Sequence, residues 1–278
     1  MDIIIGKYSG FCRGVSNTIK RANEELSKDN NIYCLGEIVH NERVIEMLED
    51  KGMKTVNDIS LVPDKAKCIF RAHGERREIY EEAKRRGIEV IDLSCGKVIA
   101  IRKKIEKKKN SFIILIGKKN HPEVIGNFSF ATTGMIVETK EDIDKAIAEF
   151  NKSNLDKIYV CGQTTFEEDK FLQLVDEIKN KISNIEVDNT ICSATHDRQS
   201  ETKELSKRVD CMLIVGGKNS SNTKELYNIS KENITTYLIQ DVNDLNELDL
   251  NYNTIGIMAG ASTPDIVIEE IVDYLKNE

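Results

Sequence analysis

Residues 89–117 read EVIDLSCGKVIAIRKKIEKKKNSFIILIG. A first apolar run ends in Leu93-Ser94-Cys95, a segment with apolar residues at helical spacing follows, and a second apolar run closes on Gly117. This is a strand, a crossover helix and another strand, the unit from which parallel sheets are built. The alternation extends in both directions. Upstream stand IIIG (3–6), IYCLGEI (32–38) and CIFRAHG (68–74). Downstream stand MIVE (135–138), IYVCGQT (158–164), EVDNTIC (186–192), CMLIVGG (211–217), TYLIQ (236–240) and TIGIMAG (254–260). A doubly wound parallel α/β architecture follows, and its ligands gather where strands end and helices begin.

Aligning the strand ends exposes a repeat. Cys12, Cys95 and Cys192 lie 83 and 97 residues apart, each after an apolar run and before a helical segment. At 28, 26 and 28 residues beyond them come His40-Asn41-Glu42, His121-Pro122-Glu123 and Ser220-Ser221-Asn222. A third polar end follows in each case: Ala72-His73-Gly74, Gln163-Thr164-Thr165 and Gly260-Ala261-Ser262-Thr263. The pattern predicts three similar small parallel-sheet α/β modules, each opened by a cysteine, around a pseudo-threefold axis with a central site. Their boundaries are 1–94, 95–191 and 192–278, the last open to joining by the N-terminal strand.

Composition narrows the function classes. With 278 residues, 40% of them hydrophobic, the chain can bury a sizeable core. A net charge of -7 and a pI near 5.4 argue against nucleic acid as partner. The basic run Arg102–Lys109 reads as a solvated helix face. The N-terminus lacks a secretory pattern, and no run approaches the ~18 apolar residues of a membrane span, so a soluble cytoplasmic protein is expected. Seven unclustered cysteines do not make a disulfide scaffold and are expected to be reduced.

Four of them, Cys34, Cys68, Cys161 and Cys211, stand within strand runs and read as core. The other three stand at polar strand-to-helix turns, SGFCRGV, DLSCGKV and NTICSATHDRQ. Helix N-termini suit thiolate, the metal-binding form. Three thiolates would leave a four-iron cluster with one open iron able to bind substrate. A zinc site of three Cys and one His uses the same donors, but no C-x-x-C or H-x-x-x-H spacing supports it. Three of the four histidines, His40, His73 and His121, occupy the polar ends. With Ser220, Ser221, Asn222 and Ser262 they supply donors for a phosphate group without a P-loop, whose spacing GGKNSSNTKEL lacks.

On GFCRGV, GEIVHNERV, AHG, HPEVIGN, GQTT, the DRQ after Cys192, GGKNSSNT and AGASTP, in that order along nearly the whole chain, the sequence resembles the LytB/IspH family of 4-hydroxy-3-methylbut-2-enyl diphosphate reductases. The resemblance implies one [4Fe-4S] cluster per chain held by Cys12, Cys95 and Cys192, its fourth iron facing the substrate. It implies a diphosphate gripped by His40, His73, His121, Ser220, Ser221, Asn222 and Ser262. Glu123 and Thr164, with Thr195, would manage the substrate hydroxyl and its protons. The implied reaction is a two-electron reductive dehydroxylation to isopentenyl and dimethylallyl diphosphates, the last step of the non-mevalonate isoprenoid pathway, with ferredoxin or flavodoxin as electron donor. Departures stand at Leu93-Ser94-Cys95-Gly96, where the family usually reads Ala-Thr-Cys-Pro, and at Arg13, Glu75 and Asp197. They leave open a paralogue with an altered substrate or a non-catalytic cluster-based sensor.

Overall fold

A computed structural model describes residues 1–277. Twelve strands and ten α-helices alternate along them. The first sheet in chain order is built from β2 (Ile32–Leu35), β3 (Met53–Val56), β4 (Lys67–Phe70) and β5 (Glu89–Asp92), arranged β3-β2-β4-β5. The next, from β6 (Phe112–Ile116), β7 (Gly134–Val137), β8 (Ile158–Gly162) and β9 (Ile185–Asp188), is arranged β7-β6-β8-β9. The last joins β10 (Cys211–Val215), β11 (Thr236–Ile239) and β12 (Thr254–Ala259) to β1 (Asp2–Ile5) in the order β11-β10-β12-β1. The three are one plan, all parallel, with the N-terminal strand supplying the fourth member of the last sheet through pairs such as Ile4 with Gly256.

Central strands are apolar where helices cover both faces: every residue of β6, β8 and β10 is buried, while β4 and β12 begin on the partly exposed Lys67 and Thr254. Edge strands are half-covered. One of them, β3, reads Met-Lys-Thr-Val and escaped the sequence pattern, since its outer positions carry polar residues. The crossovers are α1 (Arg13–Lys28), α2 (Glu42–Glu49), α3 (Arg77–Arg85), α4 (Gly96–Lys107), α5 (Pro122–Phe128), α6 (Lys140–Lys152), α7 (Glu168–Lys179), α8 (Ser193–Leu205), α9 (Ser221–Lys231) and α10 (Asp265–Asn277). Local chemistry starts them. Thr139 and Asp142 form a reciprocal capping box on α6, and Pro122 occupies the first turn of α5 behind the cap residue His121.

Backbone contacts divide the chain into two units. One comprises Met1–Asn17, Val39–Met47 and the chain from Ser193, and holds the β1-containing sheet, with a core of Leu213, Val215, Ile255, Ile257 and Ile271 among others. The other, Thr18–Ile38 with Leu48–Cys192, holds the remaining two sheets, with Phe112, Ile114, Val160 and Phe171 in the core of the β6–β9 sheet and Leu35, Val62 and Phe70 in that of the β2–β5 sheet.

The strand order revises one expectation. Cys12, Cys95 and Cys192 follow β1, β5 and β9, the fourth strand of each sheet, so each cysteine closes a sheet rather than opening a module. The sequence alone could not show this, because the strand that completes the last sheet lies at the opposite end of the chain. No helix among the described residues is long and apolar enough to cross a membrane.

Candidate active site

Each cysteine that closes a sheet is held by the same hydrogen bond. The Cys12 N–H donates to the carbonyl of Ala261 at 3.0 Å, Cys95 to Ala72 at 2.9 Å and Cys192 to Thr164 at 3.0 Å. The acceptors are the third polar ends of the three sheets. A side chain leaves the fourth strand, its backbone is pinned to the end of the neighbouring strand, and a helix starts at the next residue. Val15 N–H donates to Cys12 Sγ at 3.4 Å, which places that sulfur at the first-turn amides of α1, a setting suited to an anionic ligand. All three cysteines are partly exposed. Cys34, Cys68, Cys161 and Cys211 are fully buried. Burial pushes the Cys68 and Cys211 thiols up to about 12 and raises those of Cys34 and Cys161 as well, so these four behave as small hydrophobes. Three partly exposed thiols at helix starts, set apart from four inert ones, each have the chemistry of an iron–sulfur ligand.

Within the larger unit the second and third polar ends meet. The His73 and His121 rings stand edge to face with centroids 5.5 Å apart. His121 caps α5, its Nδ1 accepting the Glu123 N–H at 3.2 Å, which leaves Nε2 as the donor of the neutral ring. Glu123 is 1% exposed. Its Oε1 accepts the Thr164 N–H and its Oε2 the Thr164 hydroxyl, both at 2.6 Å. Burial dominates and pushes this carboxyl up to about 7, while the two Thr164 hydrogen bonds oppose the rise. Since the Thr164 carbonyl receives the Cys192 N–H, one residue ties the buried acid to a cysteine.

Glu75, one of the departures, closes the turn that carries His73. Its carboxylate accepts from Arg71 Nε at 3.0 Å, Gly74 takes a φ of 76° between them, and the Gly74 N–H returns to the Arg71 carbonyl at 3.0 Å. Glycine relieves the strain that a side chain would suffer at that angle. Gly96, the other departure beside a cysteine, faces open space.

In the other unit lie Cys12, His40, Thr195, Ser220, Ser221, Asn222 and Ser262. The Ser262 hydroxyl donates to the His40 carbonyl at 3.3 Å, and a Cβ on Gly217 would strike that same carbonyl. Ser220 caps α9 by accepting the Thr223 N–H at 3.3 Å. Asn222 is 4% exposed, and neither its amide oxygen nor its amide nitrogen finds a hydrogen-bond partner among the described residues. Buried amides left in this way mark a place for a polar ligand. Thr195 is buried on the first turn of α8.

Two residues that position this site had no assigned role in the sequence. Arg198, 4% exposed, donates from Nη2 to the Gly10 carbonyl at 2.6 Å and from Nη1 to Ala194 at 2.8 Å. Glu201 accepts the Lys7 and Tyr8 N–H groups at 2.7 and 2.8 Å. Both lie on α8 and clasp the loop that leads to Cys12. The DRQ segment signalled Arg198, but nothing local could say what it holds.

The match to a family model described as "LytB protein" spans residues 3–276. A 4-hydroxy-3-methylbut-2-enyl diphosphate reductase from Clostridioides difficile (strain 630) is 39% identical over 285 residues, covering 100% of both chains. One from Aquifex aeolicus (strain VF5) is 38% identical over 98% of this chain and 94% of its own. Among solved structures, the E-1-hydroxy-2-methyl-but-2-enyl-4-diphosphate reductase from Plasmodium falciparum superposes with a TM-score of 0.90 at 34% identity, covering 99% of this chain and 88% of that one. A second, described as (E)-4-hydroxy-3-methyl-but-2-enyl diphosphate reductase, the terminal enzyme of the non-mevalonate pathway, has a TM-score of 0.71 at 36% identity over 100% of both chains. Similarity of this extent, on a fold of three parallel four-stranded sheets, establishes that the chain belongs to the LytB family.

Proposed function

We propose that this chain is the iron–sulfur oxidoreductase that converts 4-hydroxy-3-methylbut-2-enyl diphosphate into isopentenyl and dimethylallyl diphosphates, closing the non-mevalonate pathway in the cytoplasm. Relatives matched over 100% and 94% of their own length carry that activity in their names. The observation that carries the reading is the hydrogen bond repeated at Cys12, Cys95 and Cys192, which sets three of seven cysteines apart. These three hold one [4Fe-4S] cluster, which when bound supplies two electrons and an open iron for the substrate oxygen. Overall, two electrons and two protons enter, the allylic C–O bond breaks, one C–H bond forms, and the oxygen leaves as water. A ferredoxin or flavodoxin delivers the electrons.

The chain's own residues bind, orient and protonate. His40, His73, His121, Ser220, Ser221, Asn222 and Ser262 hold the diphosphate, and the partnerless Asn222 amide is the best-prepared donor among them. Thr164 and Thr195 orient the hydroxyl. Glu123, half-protonated near pH 7, gives the proton that lets oxygen depart as water. A sensor without turnover has no use for such an acid.

Anaerobic purification should yield a brown protein with about four irons and four sulfides per chain. It should consume the hydroxylated diphosphate once reduced. A colourless, zinc-containing protein without turnover would refute the proposal. Inorganic diphosphate should compete with substrate at millimolar concentration. Removing one donor by His40→Ala, His73→Ala, His121→Ala or Asn222→Leu should weaken diphosphate binding roughly ten- to a hundredfold, as loss of a contact to an ionised group does. Calorimetric titration with inorganic diphosphate measures both effects.

A further inference from the structure

The basic run on α4 is not a uniformly solvated face. Three of its cations are neutralised: Lys104 pairs with Asp188 at 2.5 Å, Lys108 with Glu186 at 2.6 Å and Arg102 with Asp92 at 3.7 Å. The others converge with a residue from α3 on an open depression lined by Arg77, Lys103, Glu106, Lys107, Lys109 and Thr132. Among the described residues, none of these four cations pairs with a carboxylate. The Arg77 guanidinium is instead fixed over the Phe130 ring, 5.0 Å from its centroid, with Nη2 donating to the Phe130 carbonyl at 3.1 Å. Four cations therefore face a single acid, Glu106, on a chain whose net charge is -7. Unscreened like charges repel within a Debye length of about 8 Å, so the patch carries a standing electrostatic cost that an anionic surface would remove.

The patch is continuous with a cysteine. Cys95 caps α4, and exposed Gly96, Ala100, Lys103 and Lys107 follow one another along its outward side. At 1.5 Å per residue, Lys103 lies about 12 Å along the axis from Cys95. A Cβ on Gly96 would touch nothing within 4 Å, so the ground beside the cysteine is low and open. Small residues near the cysteine allow close approach, and lysines further along hold the visitor in place.

We infer that the outward face of α4, from Gly96 to Lys107, with Lys109 just past its end and Arg77 beside it, is the docking surface for a small acidic one-electron redox protein that reduces the cluster. This rests on the reading of the chain as a donor-dependent reductase. Each encounter transfers one electron, oxidising the partner by one, and two encounters complete a turnover. Nucleic acid fits less well, because four cations on an acidic chain make too small a footprint to track a phosphate backbone.

The test is a double charge reversal, Lys103→Glu with Lys107→Glu, on the cluster-loaded full chain. Lys152→Glu with Lys179→Glu, on exposed lysines of α6 and α7, serves as the control. Activity is driven by reduced ferredoxin and, separately, by dithionite and a reduced viologen, two small reductants of opposite charge. The patch variant should show a KM for ferredoxin raised tenfold or more at low ionic strength, with kcat at saturating donor little changed. Its rate should lose the steep salt dependence of the wild type, while rates with both small reductants stay within twofold. Ferredoxin kinetics within twofold of wild type, with normal small-reductant rates, would overturn the surface and leave the reductase reading intact. RNA bound at physiological salt by the wild type and lost in the variant, with ferredoxin kinetics unchanged, would overturn it too. A wild type idle with every reductant would remove the reading beneath it.

Discussion

Glu123→Gln is expected to lower turnover by about 10²–10⁴-fold, the usual contribution of positioned proton transfer. Glutamine preserves the shape: its oxygen can accept the Thr164 N–H and its amide can donate to the Thr164 hydroxyl, so iron content and diphosphate affinity should change by no more than a few-fold. The acid can work at neutral pH because burial pushes its carboxyl up to about 7 against the two Thr164 hydrogen bonds that oppose the rise. The sign of the pH dependence follows. The acid form is needed, so wild-type kcat should be level below about pH 6 and fall as pH rises through 7, whereas the residual activity of the glutamine variant should lack that limb. Stability moves in the same direction. The folded carboxyl titrates above its ordinary value of 4.5, so its contribution to stability is fully present below 4.5 and is lost as pH rises through about 7. Between those values the glutamine variant should gain stability relative to wild type, measured as the difference in denaturation midpoint at pH 5 and pH 8. Turnover within a few-fold of wild type in a fully loaded glutamine variant would move the proton source to Thr164, a bound water or the diphosphate.

The other large effect concerns iron. Cys12→Ser, Cys95→Ser and Cys192→Ser are each expected to abolish the four-iron cluster or leave it lost on desalting, with turnover falling to background. Cys34→Ser, Cys68→Ser, Cys161→Ser and Cys211→Ser should keep iron and sulfide near the wild-type ratio. Those four thiols are fully buried, so a serine there leaves an unsatisfied hydroxyl in an apolar strand, costing about 1–3 kcal/mol in stability. Iron analysis and denaturation together separate the classes: three variants lose metal, four lose only stability. A strand cysteine as necessary for iron as Cys12, Cys95 and Cys192 would contradict the ligand assignment.

Much of this was legible in the chain. Apolar runs of four to six residues, set apart by segments of helical period, locate all the central strands, since a strand buried on both faces must be apolar throughout. The edge strand β3 was not legible, because half-exposure dilutes its pattern to Met-Lys-Thr-Val. The distinction between cysteines was legible for a local reason: a cysteine inside an apolar run is core, and one between a strand and a helix stands at a helix N-terminus. The roles of Arg198 and Glu201 were not, since their partners at Gly10, Lys7 and Tyr8 lie more than 180 residues away.

The sequence by itself determined where strands and helices fall, which cysteines lie at their junctions, and which polar residues end each strand, because these depend on neighbours within a few turns of chain. Tertiary structure alone decided that β1 completes the last sheet, that each special cysteine closes a sheet and is pinned to the adjoining strand end, and that Glu123 is enclosed with Thr164 as its partner. Strand pairing between distant segments leaves no local period, and the desolvation that shifts a carboxyl is a property of everything packed around it.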